Sequence, residues 1–170
     1  MAKVLMKKKR LSEDIARVYI CEILLAIEYL HSKGILYRDL KPDNIIIDYD
    51  GHCKLTDFGL SKENVDADFM SNSFVGSYAY AAPEIIKQKE HGKSLDWYGL
   101  GLLLYEFLVG IPPYYDKDQE TMFKNIVGGV IKIPTHLSPD SKDLILKLLK
   151  RNPLDRLGSG KDGAKEIKAH

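Results

Sequence analysis

The sequence predicts a mainly α fold, a helical bundle interrupted by one short β-hairpin. Three observations carry that expectation. An amphipathic stretch follows Ser12, a nearly uniformly apolar run extends from Leu95 to Val109, and only two brief strand patterns occur, one on each side of Asp50-Gly51.

Taken in order, Ser12 followed by Glu13 and Asp14 reads as the cap of a helix carrying Ile15, Val18, Tyr19, Ile23, Leu24, Ile27 and Leu30, with Gly34 to end it. The residues before it read as a lysine-rich lead. Strands are expected from Ile45 to Asp48 and from Cys53 to Thr56, joined by the Asp50-Gly51 turn. Residues 60–82 lack periodicity and are rich in Asn, Asp, Ser and Gly, so they read as a long functional loop. Ser94 is expected to cap a central helix from Leu95 to Val109, hydrophobic on nearly every side and therefore buried. A short amphipathic helix should span Asp118 to Ile126, and Ser138-Pro139 should begin another through Leu149.

With 170 residues and 45% hydrophobic content, the chain is long enough to bury about two-thirds of its unfolded surface in one core. A formal net charge of +1 supplies no general attraction to nucleic acid or to an anionic membrane. The run Lys7-Lys8-Lys9-Arg10 reads as a solvated basic turn before a helix, with a localisation or lipid-binding patch as the alternative. Two cysteines, Cys21 and Cys53, make neither a disulfide framework nor a metal motif, which suits a reducing, cytoplasmic compartment. The most apolar stretch, from Leu95 to Pro112, carries Asp96 and Glu106 and ends in Pro112-Pro113, so it is too short and too charged to span a bilayer. Gly158-Ser159-Gly160-Lys161-Asp162-Gly163 matches a nucleotide-binding glycine pattern, but it follows a helix instead of a strand and reads as a surface loop.

Chemistry concentrates between residues 36 and 60, LYRDLKPDNIIIDYDGHCKLTDFGL. A hydroxyl attacking a terminal phosphate must lose its proton, and Asp39 is a carboxylate on a loop suited to receive it. Lys41 would neutralise charge growing on the transferred group. Magnesium prefers hard oxygen ligands and keeps several waters, so Asp57 and Asn44 suffice from the protein. Any one of these residues alone reads as a turn former; the joint pattern points to phosphoryl transfer.

The order Tyr37-Arg38-Asp39-Leu40-Lys41-Pro42-Asp43-Asn44, then Asp57-Phe58-Gly59 and Ala82-Pro83-Glu84, resembles the protein kinase family. Tyrosine at the first of these positions is similar to the AGC group of serine/threonine kinases, and Lys41 is the serine/threonine pattern. The resemblance covers residues 1–170 and implies one partial kinase domain, the C-terminal lobe only. The Gly-rich loop, the strand lysine and the rest of the N-terminal lobe would precede the catalytic loop, and only 38 residues precede Asp39. The expectation is therefore a fragment whose parent phosphorylates serine and threonine in basic protein sequences and which is inactive alone. A non-catalytic binding or decoy module is the alternative.

The same resemblance implies ATP and Mg2+ as cofactors, with Lys41, Asp43, Asn44, Ile46, Thr56 and Asp57 on the nucleotide side. It implies that Ser77 hydrogen-bonds Asp39 and Lys41, and that Asp43 and Glu106 read arginines of the substrate. That preference is expected to be weakened, because Ala79 stands where close relatives carry glutamate. Ser73 is the implied phosphosite for an upstream activating kinase, its roughly two negative charges clamped by Arg38 and Lys62; an unmodified polar loop serine is the alternative. Glu84 and Arg156 are implied as a buried ion pair, and Asp96 as the residue holding the catalytic-loop backbone. Protein or peptide substrates and the missing lobe are the implied partners, with no nucleic acid and no membrane span.

Overall fold

A computed structural model describes residues 1–63 and 78–170 of the chain. Its elements are helices α1 (Ala2–Lys8), α2 (Glu13–Ser32), α3 (Pro83–Ile86), α4 (Ser94–Val109), α5 (Gln119–Gly128), α6 (Pro139–Leu148) and α7 (Ala164–Lys168), with strands β1 (Ile45–Ile47) and β2 (Cys53–Leu55).

Helix α4 is the axis of the bundle and packs between α2 and α6. It is leucine-rich, contains no β-branched residue before its last position, and ends where Gly110 adopts φ 96 and returns its N–H to the Glu106 carbonyl. Every residue from Leu95 to Leu108 is buried. Each large apolar side chain so enclosed contributes about 1.5–3 kcal/mol, which is why the whole lobe is organised around this segment. Ser94 is its first helical residue and Lys93 its cap, one position earlier than the sequence suggests.

Helix α2 ends as expected, with Gly34 in the left-handed region at φ 69. Its inward face differs from the expected one at the N-terminal end. Ala16, Ile20, Ile23, Leu24, Ile27 and Leu30 are buried, whereas Ile15 and Val18 are 39% and 54% exposed. Apolar residues encircle this half of the helix, so periodicity alone does not choose the face; small Ala16 lies inward, fully buried in the core. Ser12 occupies the cap position without a side-chain cap bond. The lysine-rich lead is helical as α1, anchored by buried Met1 and Leu5.

Strands β1 and β2 pair antiparallel in the register Ile45↔Leu55, Ile46↔Lys54, Ile47↔Cys53, and β2 packs on α2. Asp48 Oδ1 accepts the N–H groups of Asp50 and His52 at 3.0 Å each, closing the turn, and Glu22 of α2 accepts Cys53 N–H at 2.7 Å. Helices α5 and α6 carry the caps their sequences announce: Asp118 accepts from Thr121 N–H and Ser138 from Ser141 N–H. The glycine pattern at residues 158–163 lies in turns ahead of the five-residue α7.

One buried ion pair ties the segment after residue 77 to the far side of the lobe. Arg156 offers five N–H donors, and all find acceptors: Glu84 Oε1 and Oε2 at 2.8 and 2.9 Å, and the carbonyls of Ser94, Lys150 and Arg151. Its guanidinium also lies 4.7 Å from the Tyr98 ring centroid. Among the described residues no helix is long and apolar enough to cross a membrane.

Removing Arg156 would leave Glu84 buried and unpaired, so Arg156→Ala is expected to destabilise the lobe by about 3–5 kcal/mol. A lobe of this size should then melt on the order of 10 °C lower by calorimetry. In a double-mutant cycle the additional loss of Glu84 should cost little, and an unchanged melting temperature in Arg156→Ala would contradict the pairing.

Candidate active site

The site begins where α2 ends. Beyond Gly34 the chain runs as a short extended segment, and Leu36 exchanges backbone bonds with Lys62 at 2.9 and 3.0 Å. Two residues later Arg38 takes φ 67, a conformation that a bulky side chain adopts only when its surroundings impose it. Asp96, in the first turn of α4, imposes it. Its Oδ2 accepts Tyr37 N–H at 3.0 Å and its Oδ1 accepts Arg38 N–H at 2.8 Å. His31 Nε2 lies 2.7 Å from Oδ2 and completes the shell of a carboxylate only 2% exposed.

Leu40 then seats against α4 at Gly99, where a Cβ would stand 3.0 Å from the leucine Cβ. Glycine at this point lets the loop lie directly on the helix. With its flanks fixed in this way, Asp39 is held between them, nearly buried. Lys41 Nζ lies 2.7 Å from Asp39 Oδ2, and Asn44 Nδ2 donates to the same oxygen at 2.7 Å and to the Asp39 carbonyl at 2.9 Å. A short 3-10 turn, Pro42–Asn44, brings Asn44 back toward Asp39. Because the Asn44 amide nitrogen is committed to Asp39, its oxygen is the atom available to a ligand.

Asn44 also joins this loop to the next. Its carbonyl accepts Thr56 N–H at 2.9 Å and Thr56 Oγ1–H at 3.1 Å, so Asp57 follows directly on the paired strand. The buried Tyr37 hydroxyl donates to the Thr56 carbonyl, and its ring meets Phe58 edge-on at 5.5 Å. Burial raises the Tyr37 phenol above its ordinary value, so it stays a donor. Arg38 Nε donates to the Leu60 carbonyl at 2.7 Å. Asp57 is exposed at φ 56, with Oδ1 accepting Gly59 N–H at 3.1 Å.

Asn44 and Asp57 thus offer an amide oxygen and a carboxylate from bonded neighbouring loops. Among the described residues no three acidic, His or Cys side chains gather to hold a metal unaided. That donor set fits magnesium, which is held by one or two protein oxygens, waters and phosphates and not by a closed protein cage. Ile46, on the outer side of β1, is 48% exposed.

Asp43 and Glu106 both line a groove of about 480 Å3 between α1 and the end of α4. Glu106 is 8% exposed and accepts a bond from Tyr80 Oη at 2.7 Å. Burial pushes its carboxyl up to about 7, the Tyr80 bond opposing the rise and the charge of Asp43 adding to it. Tyr80 and His31 are missed by sequence reasoning, because their partners lie 26 and 65 residues away and no local period marks them. Lys62 is placed by the Leu36 pairing two residues from Arg38, while Ser73 and Ser77 lie outside the described residues.

A protein-family profile described as "Protein kinase domain" matches residues 1–170. The chain is 45% identical over 166 residues to ribosomal protein S6 kinase alpha-3 of Mus musculus, covering 98% of this chain and 22% of that protein. It is 46% identical over 158 residues to ribosomal protein S6 kinase beta of Caenorhabditis elegans, covering 93% and 29%. To RAC-beta serine/threonine-protein kinase B of Xenopus laevis it is 42% identical over 166 residues, covering 98% and 34%. The chain therefore spans between about a fifth and a third of the length of these relatives. With Asp39, Lys41 and Asn44 clustered beside Asp57 and a full-length family match, the chain belongs to the protein kinase family and, within it, to the AGC-group serine/threonine kinases.

Proposed function

We propose that this chain is the lobe of an ATP-dependent serine/threonine protein kinase that supplies the proton acceptor, the metal ligands and the peptide site. The observation that carries this reading is the cluster in which Lys41 Nζ and Asn44 Nδ2 both reach Asp39 Oδ2 at 2.7 Å. The Asp39 carboxylate takes the proton from a substrate hydroxyl as that hydroxyl oxygen bonds to the terminal phosphorus and the bond to the departing ADP breaks. Lys41 neutralises charge on the transferred group. Asn44 and Asp57 are the residues that would hold Mg2+, which would supply neutralisation of phosphate charge. Thr56 and Ile46 line the nucleotide, together with Asp43 and Lys41.

The residues ahead of Asp39 are occupied by α1 and α2, and among the described residues none forms a glycine-rich cover for the phosphates. We assign that cover to a separate lobe of the parent, and the 170 residues alone are expected to turn over negligibly. Asp43 and Glu106 favour basic residues in the substrate. Phosphorylation of Ser73 by an upstream kinase would be read by Arg38 and Lys62. A cytoplasmic setting keeps Cys21 and Cys53 as thiols; burial pushes Cys53 up to about 12 and leaves it protonated.

Joined to the nucleotide-covering lobe of one of the relatives, the chain should phosphorylate a serine peptide, and Asp39→Asn should lower kcat about 10²–10⁴-fold with KM little changed. An unaltered kcat would remove Asp39 from this role.

The Glu106 carboxyl sets a pH dependence. Neutral below about 7 and ionised above it, it should tighten binding of an arginine-containing peptide between pH 6 and 8. In the unliganded lobe the sign is opposite. A carboxyl raised above its ordinary 4.5 contributes stability fully below that value and loses it as pH rises through about 7. Glu106→Gln should therefore flatten the peptide titration and raise the melting temperature at pH 8 relative to the parent. A titration unchanged in Glu106→Gln would contradict the assignment.

A further inference from the structure

The four basic residues Lys7 to Arg10 do not form one surface. Lys8 and Arg10 line a cleft with Glu13 and His136, whereas Lys9 lines the groove that holds Asp43 and Glu106. The backbone makes this division. Lys9 caps α1 at φ 65, a left-handed conformation that glycine takes freely and lysine does not. Its N–H bonds the Leu5 carbonyl at 2.7 Å, and its own carbonyl rests on Gly110, where a Cβ would come within 2.3 Å of it. A lysine is thus kept at a position suited to glycine and is delivered to a groove whose other charged residues are carboxylates. It has no ion-pair partner among the described residues. Strain retained at a groove wall is the observation that calls for a function.

We infer that Lys9 is a specificity-determining residue that pairs with an acidic side chain of the peptide substrate, next to the basic side chain taken by Asp43 and Glu106. The inference rests on the reading of this groove as the peptide site. The groove then selects a mixed-charge segment, since two acidic groups and one basic group line it. Exposed Met6 and Ile111 flank it and give the peptide stem apolar contact.

Fluorescence anisotropy on the 170-residue chain tests this with a labelled serine peptide carrying two arginines and a set in which one glutamate is walked along the flanking positions. Glutamate at one position or two adjacent positions should tighten binding roughly threefold, the yield of a solvent-exposed ion pair, in the parent and in Lys9→Arg. The gain should vanish in Lys9→Gly, whose melting temperature should be equal or higher because glycine accepts φ 65 without strain. A gain that persists in Lys9→Gly, or a flat walk in the parent, overturns the lysine assignment. Asp43→Asn separates the two levels. If it weakens the arginine peptide while the walk is flat, only Lys9 loses its role; if it has no effect, the peptide-site reading fails and the inference falls with it.

Discussion

The Asp96 carboxylate is the constraint on which the site depends. A chain leaving a helix through a glycine has many routes open to it, and the route taken requires Arg38 at φ 67. Two charge-assisted bonds, to the Tyr37 and Arg38 N–H groups, select that route. Because Asp96 belongs to the most buried helix, the rigidity of the core is passed to the catalytic loop within one turn of α4. Leu40 on Gly99 and the Tyr37 hydroxyl on Thr56 extend the same constraint to Asp39 and to the loop carrying Asp57.

Three buried carboxylates around α4 show how donor supply decides what a burial achieves. Asp96 receives two backbone N–H groups and His31; Glu84 receives a bidentate guanidinium. Both are satisfied and serve as joints. Among the described residues Glu106 receives only the Tyr80 hydroxyl, and it lines a groove with Asp43, so desolvation dominates and its carboxyl rises to about 7. An incompletely satisfied acid at a groove wall is a ready acceptor for an incoming cation, and a satisfied one is not.

What was legible in the sequence follows the distance over which the physics acts. Asp39, Lys41 and Asn44 lie within six residues because one loop must carry them, and their chemistry can be read from spacing alone. Caps at Asp118 and Ser138 and the turn at Gly51 are equally local. The joints are long-range: Arg156 and Glu84 are 72 residues apart and became readable only through family resemblance. Tyr80 and His31 carry no local signal, and the basic run that includes Lys9 does not set it apart from its neighbours, since these roles arise from contacts that tertiary packing supplies. For the same reason periodicity does not reveal the inward face of α2 near Ile15 and Val18, and the lysines of α1 mask its anchors Met1 and Leu5.

Amide hydrogen exchange in Asp96→Asn tests the central constraint most directly. The amide side chain keeps the shape of aspartate but offers one acceptor oxygen in place of two, so the Tyr37 and Arg38 N–H groups cannot both remain bonded. Their exchange should quicken about tenfold or more, as expected for loss of a charge-assisted bond, while Leu100 to Leu104 at the centre of α4 stay protected. Unchanged protection at Tyr37 and Arg38 would contradict the account, because the loop would then hold its course without the carboxylate.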